Sequence, residues 1–441
     1  MILEGGMTMA GDGARVVRPD RHQLYWEMID LEGLISADHR ARMVWAFVES
    51  LDLAAFYDAI KAREGEPGRP PADPAVLLAL WLYATLEGIG SARELERLCE
   101  RDVAYRWLCG GVAVNYHGLA DFRVGHGELL DRLLSESVAA LLAEGLIDLD
   151  EAIIDGTKVK ASAGKDSFAR ENRLMRAERL AQERIERLKA EIDADPGASV
   201  RRKQAAAERA ARDIAVRAGK AREMLERLKA EKQQRAKTHA KAEAEKGEPR
   251  ASLTDPQARF MRFADGSIKA GYNIPVAASR TGVVLAVTAS DRRNDAGLAV
   301  PMIEDIARRY GHAPKRVLLD TNFATAEDIV ALATREQGQV VVYAPPPPER
   351  DDVSLKTLSN RAAARAKEPE TLKEWRIRMA SPQAQSLYKI RRRIELVNAH
   401  MKNRGLGHLN LRGLAKARIV ALWHALAHNI LATNRLRLAP V

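Results

Sequence analysis

From Tyr25 to about Ile147, apolar residues recur at three- and four-residue spacings, the period of amphipathic helices, and no run alternates as a half-buried strand would. Asp73-Pro74 predicts a capped start for the apolar run Ala75 to Leu86, and Ser91 opens a further helix through Leu98. Trp107, Phe122 and the Leu-rich segment Leu129–Leu146 add core. Residues 21–148 therefore read as an all-helical domain behind a Gly-rich, mobile N-terminus at 1–20.

The pattern then changes. Ala152-Ile-Ile154 reads as a short apolar strand ending in the turn-like Asp155-Gly156. From Glu171 to about Lys246 the chain is almost wholly Ala, Glu, Lys, Arg and Leu. Leu174, Ala177, Ala181, Ile185, Leu188 and Ile192 form one apolar seam; Ala207, Ala211, Ile214, Ala218, Ala221, Leu225 and Leu228 form another. With Asp195-Pro196-Gly197 as a turn, the two stretches predict an antiparallel helical hairpin spanning about 171–246. Beyond it, Lys269–Ser279 and Val283–Ala289 read as a strand hairpin. Helix Leu298–Tyr310, strand Arg316 to Leu319, helix Ala326–Glu336 and strand Gln339–Tyr343 follow, then a connecting segment Ala362–Met379 and two C-terminal helices. Strands alternating with helices predict an α/β mixed sheet with flanking helices over 149–441, interrupted by the hairpin.

Charge adds a partner to this outline. Lys plus Arg number 70 against 60 Asp plus Glu, a formal net charge of +10, which favours polyanions through counterion release. Cys99 and Cys109 are too few for a disulfide framework and read as reduced thiols of a cytoplasmic protein. No apolar run reaches the ~20 residues of a membrane span, so no membrane association is expected.

Two aspartates, Asp155 and Asp320, each follow an apolar strand, where ligands gather in open α/β sheets. Each has an ordinary alternative: Asp155 as a turn residue, Asp320 as the cap of the next helix. Near the C-terminus, at ~100° per residue, Tyr388, Arg391, Glu395 and Lys402 fall on one helical stripe. Glu395 also reads as a solvated residue paired with Arg391 one turn earlier. Strand-Asp, strand-Asp, helix-Glu in a basic chain is the combination that suits Mg²⁺ or Mn²⁺, hard cations that take a few carboxylates beside phosphate oxygens. His424 and His428 read as half a zinc site or as a packed pair, the latter favoured. Asn294-Asp295 reads as support for the carboxylates or as a turn, the turn favoured.

With these residues assembled, the chain resembles a DDE transposase of the bacterial insertion-sequence class, with a ribonuclease-H-like catalytic core. The matching residues are Asp155-Gly-Thr157-Lys158 with Lys160, the strand end Leu-Leu-Asp320, and Tyr388–Lys402, which reproduces the Y-x2-R-x3-E-x6-K signature without a gap. Asp73-Pro-Ala-Val-Leu-Leu, Ser91-Ala-Arg-Glu-Leu-Glu, Asp121-Phe-Arg, Arg378-Met-Ala-Ser-Pro, Leu411-Arg-Gly413 and Asn429 extend the resemblance over nearly the whole chain.

The resemblance implies Asp155, Asp320 and Glu395 as the catalytic, metal-binding triad. It implies Arg391, Lys402, Tyr388, Lys158 and Lys160 as DNA contacts, with double-stranded DNA (terminal inverted repeats and target) as substrate. It further implies a homodimer on DNA, nucleoid association, and the 21–148 domain as the DNA-binding and assembly unit, with Arg93–Arg106 and Arg123 as candidate readers of the repeats. A nuclease of the same core without strand transfer, or an inactive DNA-binding relic, are the alternatives.

Overall fold

The helix Pro74–Leu86 is apolar on every side and is buried at every residue but Ala75, as an all-apolar helix must be. Asp73 caps it by accepting the Ala75 N–H, and Ser91 does the same for Ala92–Arg101. The computed structural model describes residues 30–60, 71–194, 198–238, 247–347 and 362–438, with His22 and Met28 besides. The expected mobile stretch 1–20, the turn Asp195-Pro196-Gly197 and the arm residues 239–246 lie outside the described residues.

Among the described residues eight strands follow in order: β1 (Glu151–Lys160), β2 (Phe168–Ala169), β3 (Ala251–Ser252), β4 (Arg259–Arg262), β5 (Ile268–Ser279), β6 (Val284–Val287), β7 (Arg316–Leu318) and β8 (Val341–Tyr343). The main sheet runs β4-β5-β1-β7-β8, with β6 also on β5. Pairs β1–β5, β4–β5 and β5–β6 are antiparallel, whereas β1–β7 and β7–β8 are parallel, so the sheet is mixed.

Asp155-Gly156 is not a turn that ends a strand: β1 runs through it to Lys160, because β5 pairs with it continuously from Ala152↔Ser279 to Lys160↔Gly271. On the other side β7 pairs only as far as Ile153↔Leu318. Asp155 and Asp320 each lie two residues past that last pair, so the parallel register and the period-2 pleat bring them to the same place.

The helices Glu171–Ala194 and Ala198–Thr238 pack antiparallel, Leu174 against Ala221, Leu225 and Leu228, and Ile185 and Leu188 against Ala211. Ile214, expected in that seam, is 43% exposed. At 3.6 residues per turn the seam passes from Ala211 through the half-buried Ala215 to Ala218 and leaves Ile214 on the outer face. Arg227 pairs with Asp291, and Arg259 pairs with Glu231 at 2.8 Å, fixing the hairpin base to the sheet.

The helix Leu414–Leu438 is buried along most of its length and packs against Pro74–Leu86 and Gly127–Ala143 as well as β6. One continuous apolar core therefore joins the N-terminal helices to the sheet. Asp131 pins three helices by accepting from Arg309 at 2.6 Å and Arg418 at 2.8 Å, with Arg309 only 1% exposed. Among the described residues no helix is long and apolar enough to cross a membrane.

Candidate functional site

Asp155 lies within β1, beside the notch where β7 stops pairing, and its side chain is 18% exposed. Asp320 sits at the end of β7, where Oδ1 accepts the Phe323 N–H at 2.8 Å and holds the turn that follows. It does not cap the next helix; Thr325 does. Tyr388 and Arg391 precede the helix Arg392–Met401, in which Ile394, Val397, Asn398 and Met401 form the buried stripe and Glu395 points outward at 59% exposure.

The single uninterrupted helix expected for Tyr388–Lys402 is corrected as well. Pro382–Tyr388 is followed by a 3-10 turn at Lys389–Arg391, and Lys402 opens a π-type turn after Met401. Arg391 closes the 3-10 turn in right-handed helical backbone. Its guanidinium lies 3.1 Å from Asp155 Oδ1, 4.0 Å from Asp320 Oδ2 and 2.9 Å from Glu395 Oε1. Three carboxylates contributed by β1, the end of β7 and one helix thus meet around one cation.

The other expected residues are nearby but differently engaged. The Tyr388 hydroxyl donates to the Leu319 carbonyl at 3.1 Å, buttressing the strand that presents Asp320. Lys158 donates to Asp295 at 3.2 Å, and Lys160 is exposed at the end of β1. Burial lowers the Lys402 ammonium, Asp155 raises it and Lys158 lowers it, so its charge shares the field of the site. His424 and His428 are buried and uncharged, pushed down to about 3 and about 4 by burial, and His428 bonds the Gly282 carbonyl at 3.0 Å. They are a packed pair.

Two residues not singled out in the sequence, Asn398 and Asn273, and one read there chiefly as a turn, Asp295, complete the surroundings. Asn398 donates to Asp155 Oδ2 at 3.2 Å. Asn273, fully buried on β5, donates to Asp295 at 2.5 Å. Asp295, read above as a turn residue, packs against Gly156, where an added Cβ would come within 2.1 Å of Asp295 Oδ1. In the sequence, the glycine after Asp155 and the alternative reading of Asn294-Asp295 as support for the carboxylates are the signals for this packing.

Burial, opposed by Arg391 and reinforced by Asp320 and Asp295, raises Asp155 from its ordinary 3.8 to about 6. A carboxylate raised on folding stabilises the protein when protonated, and that contribution is lost as pH rises from 3.8 through about 6. In metal-free protein, urea unfolding at a series of pH values should therefore show wild type losing up to ~3 kcal/mol relative to Asp155→Asn across that window. A pH-independent difference would contradict the environment assigned to Asp155.

The donor set suits a hard divalent cation: carboxylate oxygens, with Arg391 holding a cation's place between them. Buried polar atoms without partners gather here too, Arg391 Nε, Asn398 Oδ1, Asn273 Oδ1 and Thr157 Oγ1, as they do at functional sites. As the side chains stand, no three among the described residues are already arranged to hold a metal ion.

A basic α/β protein in which acidic groups from β1, the end of β7 and one helix converge has the charge distribution suited to a polyanion and a divalent cation. Two family models match the chain: Transposase domain (DUF772) over residues 29–124, and Transposase DDE domain over residues 263–430. The chain belongs to the DDE transposases of the insertion-sequence type, a family that acts on DNA and generally uses divalent metal ions. The DDE match includes Asp320 and Glu395 and begins after Asp155. No curated protein and no solved structure matches.

Proposed function

We propose that the protein cleaves transposon-end DNA at phosphodiester bonds and transfers the freed 3′-hydroxyl into target DNA, with Asp155, Asp320 and Glu395 as the reacting site in a ribonuclease-H-like core. The observation that carries this reading is the convergence of all three carboxylates on the Arg391 guanidinium, within 2.9–4.0 Å. They come from positions 155, 320 and 395, and a merely solvated acidic surface gives no reason for that meeting.

Each residue has a task. Asp155, Asp320 and Glu395 would hold Mg²⁺ or Mn²⁺, which when bound supplies Lewis-acid stabilisation of the attacking and leaving oxygens. Asn398 and the Phe323 N–H orient two of the carboxylates, and Tyr388 braces the strand end beneath Asp320. Arg391, Lys402, Lys158 and Lys160 bind the phosphates of the end, charge against charge. Arg391 and Lys158 first have to exchange their present carboxylate partners for phosphate. Cleavage and joining are both phosphoryl transfers, so one positioned site serves both. Joining two ends calls for at least two copies on DNA, in keeping with a nucleoid-associated dimer, and residues 21–148 act as the assembly and DNA-binding unit.

Full-length protein, incubated with labelled duplex carrying the inverted repeats that flank its gene, should yield nicked ends and joined products in Mg²⁺ and neither in EDTA. Nicked ends without joined products would identify a nuclease. No cleavage in Mg²⁺ or Mn²⁺ would overturn the reading.

A further inference from the structure

Between the N-terminal helices and the segment that follows Met401 lies a small polar cavity of about 80 Å³, away from the carboxylates. Its polar walls are Thr85, Arg123, Arg404, His408, Asn410 and His424, and no acidic residue lines it among the described residues. We propose that this cavity binds a phosphate group, gripped by Arg123 and Arg404.

Three arginines with little-exposed side chains are paired with carboxylates: Arg309 has Asp131 and Asp305, Arg259 has Glu231, and Arg391 has three. Arg123 forms no salt bridge among the described residues. It donates once, to the Gly90 carbonyl at 2.6 Å, lies over the Trp81 ring at 4.7 Å, and keeps a buried Nε without a partner. Burial alone lowers it to about 10, so the guanidinium is charged at neutral pH with no countercharge. A desolvated, unpaired cation is costly unless an anion joins it.

The remaining walls fit the same ligand. Arg404 donates only to the His400 carbonyl, at 3.3 Å, and the charges that act on it are Arg40, Arg435 and the lone acid Glu87. Gly405, at φ +100°, turns the chain against the backbone of Gly88, where a Cβ would meet the Gly88 carbonyl at 3.4 Å; this close approach shapes the cavity. His408 and Asn410 are exposed, which leaves a side open to solvent. At roughly 10–15 Å³ per water-sized group, the volume accommodates a five-atom oxyanion.

Position suggests the source. The Lys160 N–H donates to Gly407 O at 3.0 Å and Leu409 N–H to Lys160 O at 2.8 Å, a parallel bridge that sets the cavity wall beside the end of β1. Asp155 and Lys160 are five strand steps apart, roughly 16 Å, or about five nucleotides of duplex rise. A DNA strand reacting at the carboxylates would pass the cavity. This step rests on the proposed function; the oxyanion itself does not, since inorganic phosphate offers the same chemistry.

The test uses full-length protein and the variants Arg123→Gln and Arg404→Gln, read by two measurements. Thermal melting compares inorganic phosphate with chloride at matched ionic strength. Binding to a labelled duplex is followed as a function of salt. A phosphate-specific rise of a few degrees, lost in both variants, identifies a free-anion site. A salt slope lowered by about 1 in each variant identifies a DNA backbone phosphate. If neither measurement changes in either variant, the site does not exist. Should Arg123→Gln fail to fold, Arg404→Gln decides alone. Neither measurement involves cleavage, so failure here and failure of the catalytic reading remain separate results.

Discussion

Replacing Asp320 by Asn is expected to abolish both end cleavage and joining, by at least ~10³-fold, while leaving the protein folded and bound to DNA. The asparagine keeps the shape, and its amide oxygen still accepts the Phe323 N–H that Asp320 accepts at 2.8 Å, so the turn after β7 survives. What disappears is one of the three negative charges around Arg391. A site that has to hold a divalent cation against phosphate loses far more from that than the fold does. Removing a negative charge beside a DNA path should leave duplex affinity equal or slightly higher. Melting temperature, gel shift and cleavage measured on one preparation check all three parts. Cleavage within about tenfold of wild type would remove Asp320 from the reacting site.

Gly156→Ala should be nearly as damaging, for a steric reason. The new Cβ would come 2.1 Å from Asp295 Oδ1 and 2.9 Å from Asn273 Oδ1. Asp295 is held there by Asn273 at 2.5 Å and Lys158 at 3.2 Å, so it has little freedom to retreat. Either the Asp295 network breaks or β1 shifts and carries Asp155 with it. Overpacking of this kind costs ~1–3 kcal/mol in stability, and a displacement of ~1 Å at a reacting group costs ~10²-fold in rate. Adding Asp295→Ala removes the obstructing carboxylate. The double variant should therefore melt above Gly156→Ala alone, the non-additivity expected of residues in contact. A Gly156→Ala protein with wild-type melting and cleavage would show that Asp295 does not close over Gly156.

The elements legible in the sequence are those whose evidence is local. Asp73-Pro74 announces its helix because capping is a matter of neighbouring residues, and the apolar runs of β5 and β7 declare themselves by burial. The hairpin was readable from its repeated seam, apart from Ile214, because helical period is set residue by residue. The spacing from Tyr388 to Lys402 likewise marked Glu395 and its cations from linear pattern alone.

What was hidden is what depends on register. Nothing local says that β5 pairs with β1 past Asp155, which turned an expected turn into mid-strand and set Asn273 opposite Lys158. Nothing local brings Asn398 to Asp155, 243 residues earlier, or Asp295 to Lys158, 137 residues earlier. Nothing local shows the 3-10 turn at Lys389–Arg391, or that Arg391 reaches the carboxylates of two strands.

The chain's own pattern determined its helices, most of its strands, its basic character and the residue types able to handle phosphate. Only the tertiary structure decided that three acids share one cation and that Asp295 stands behind them. It alone left Arg123 without a carboxylate among the described residues. The physical reason is that periodicity and capping act over a few residues, whereas a buried charge finds its partner only when distant strands and helices pack.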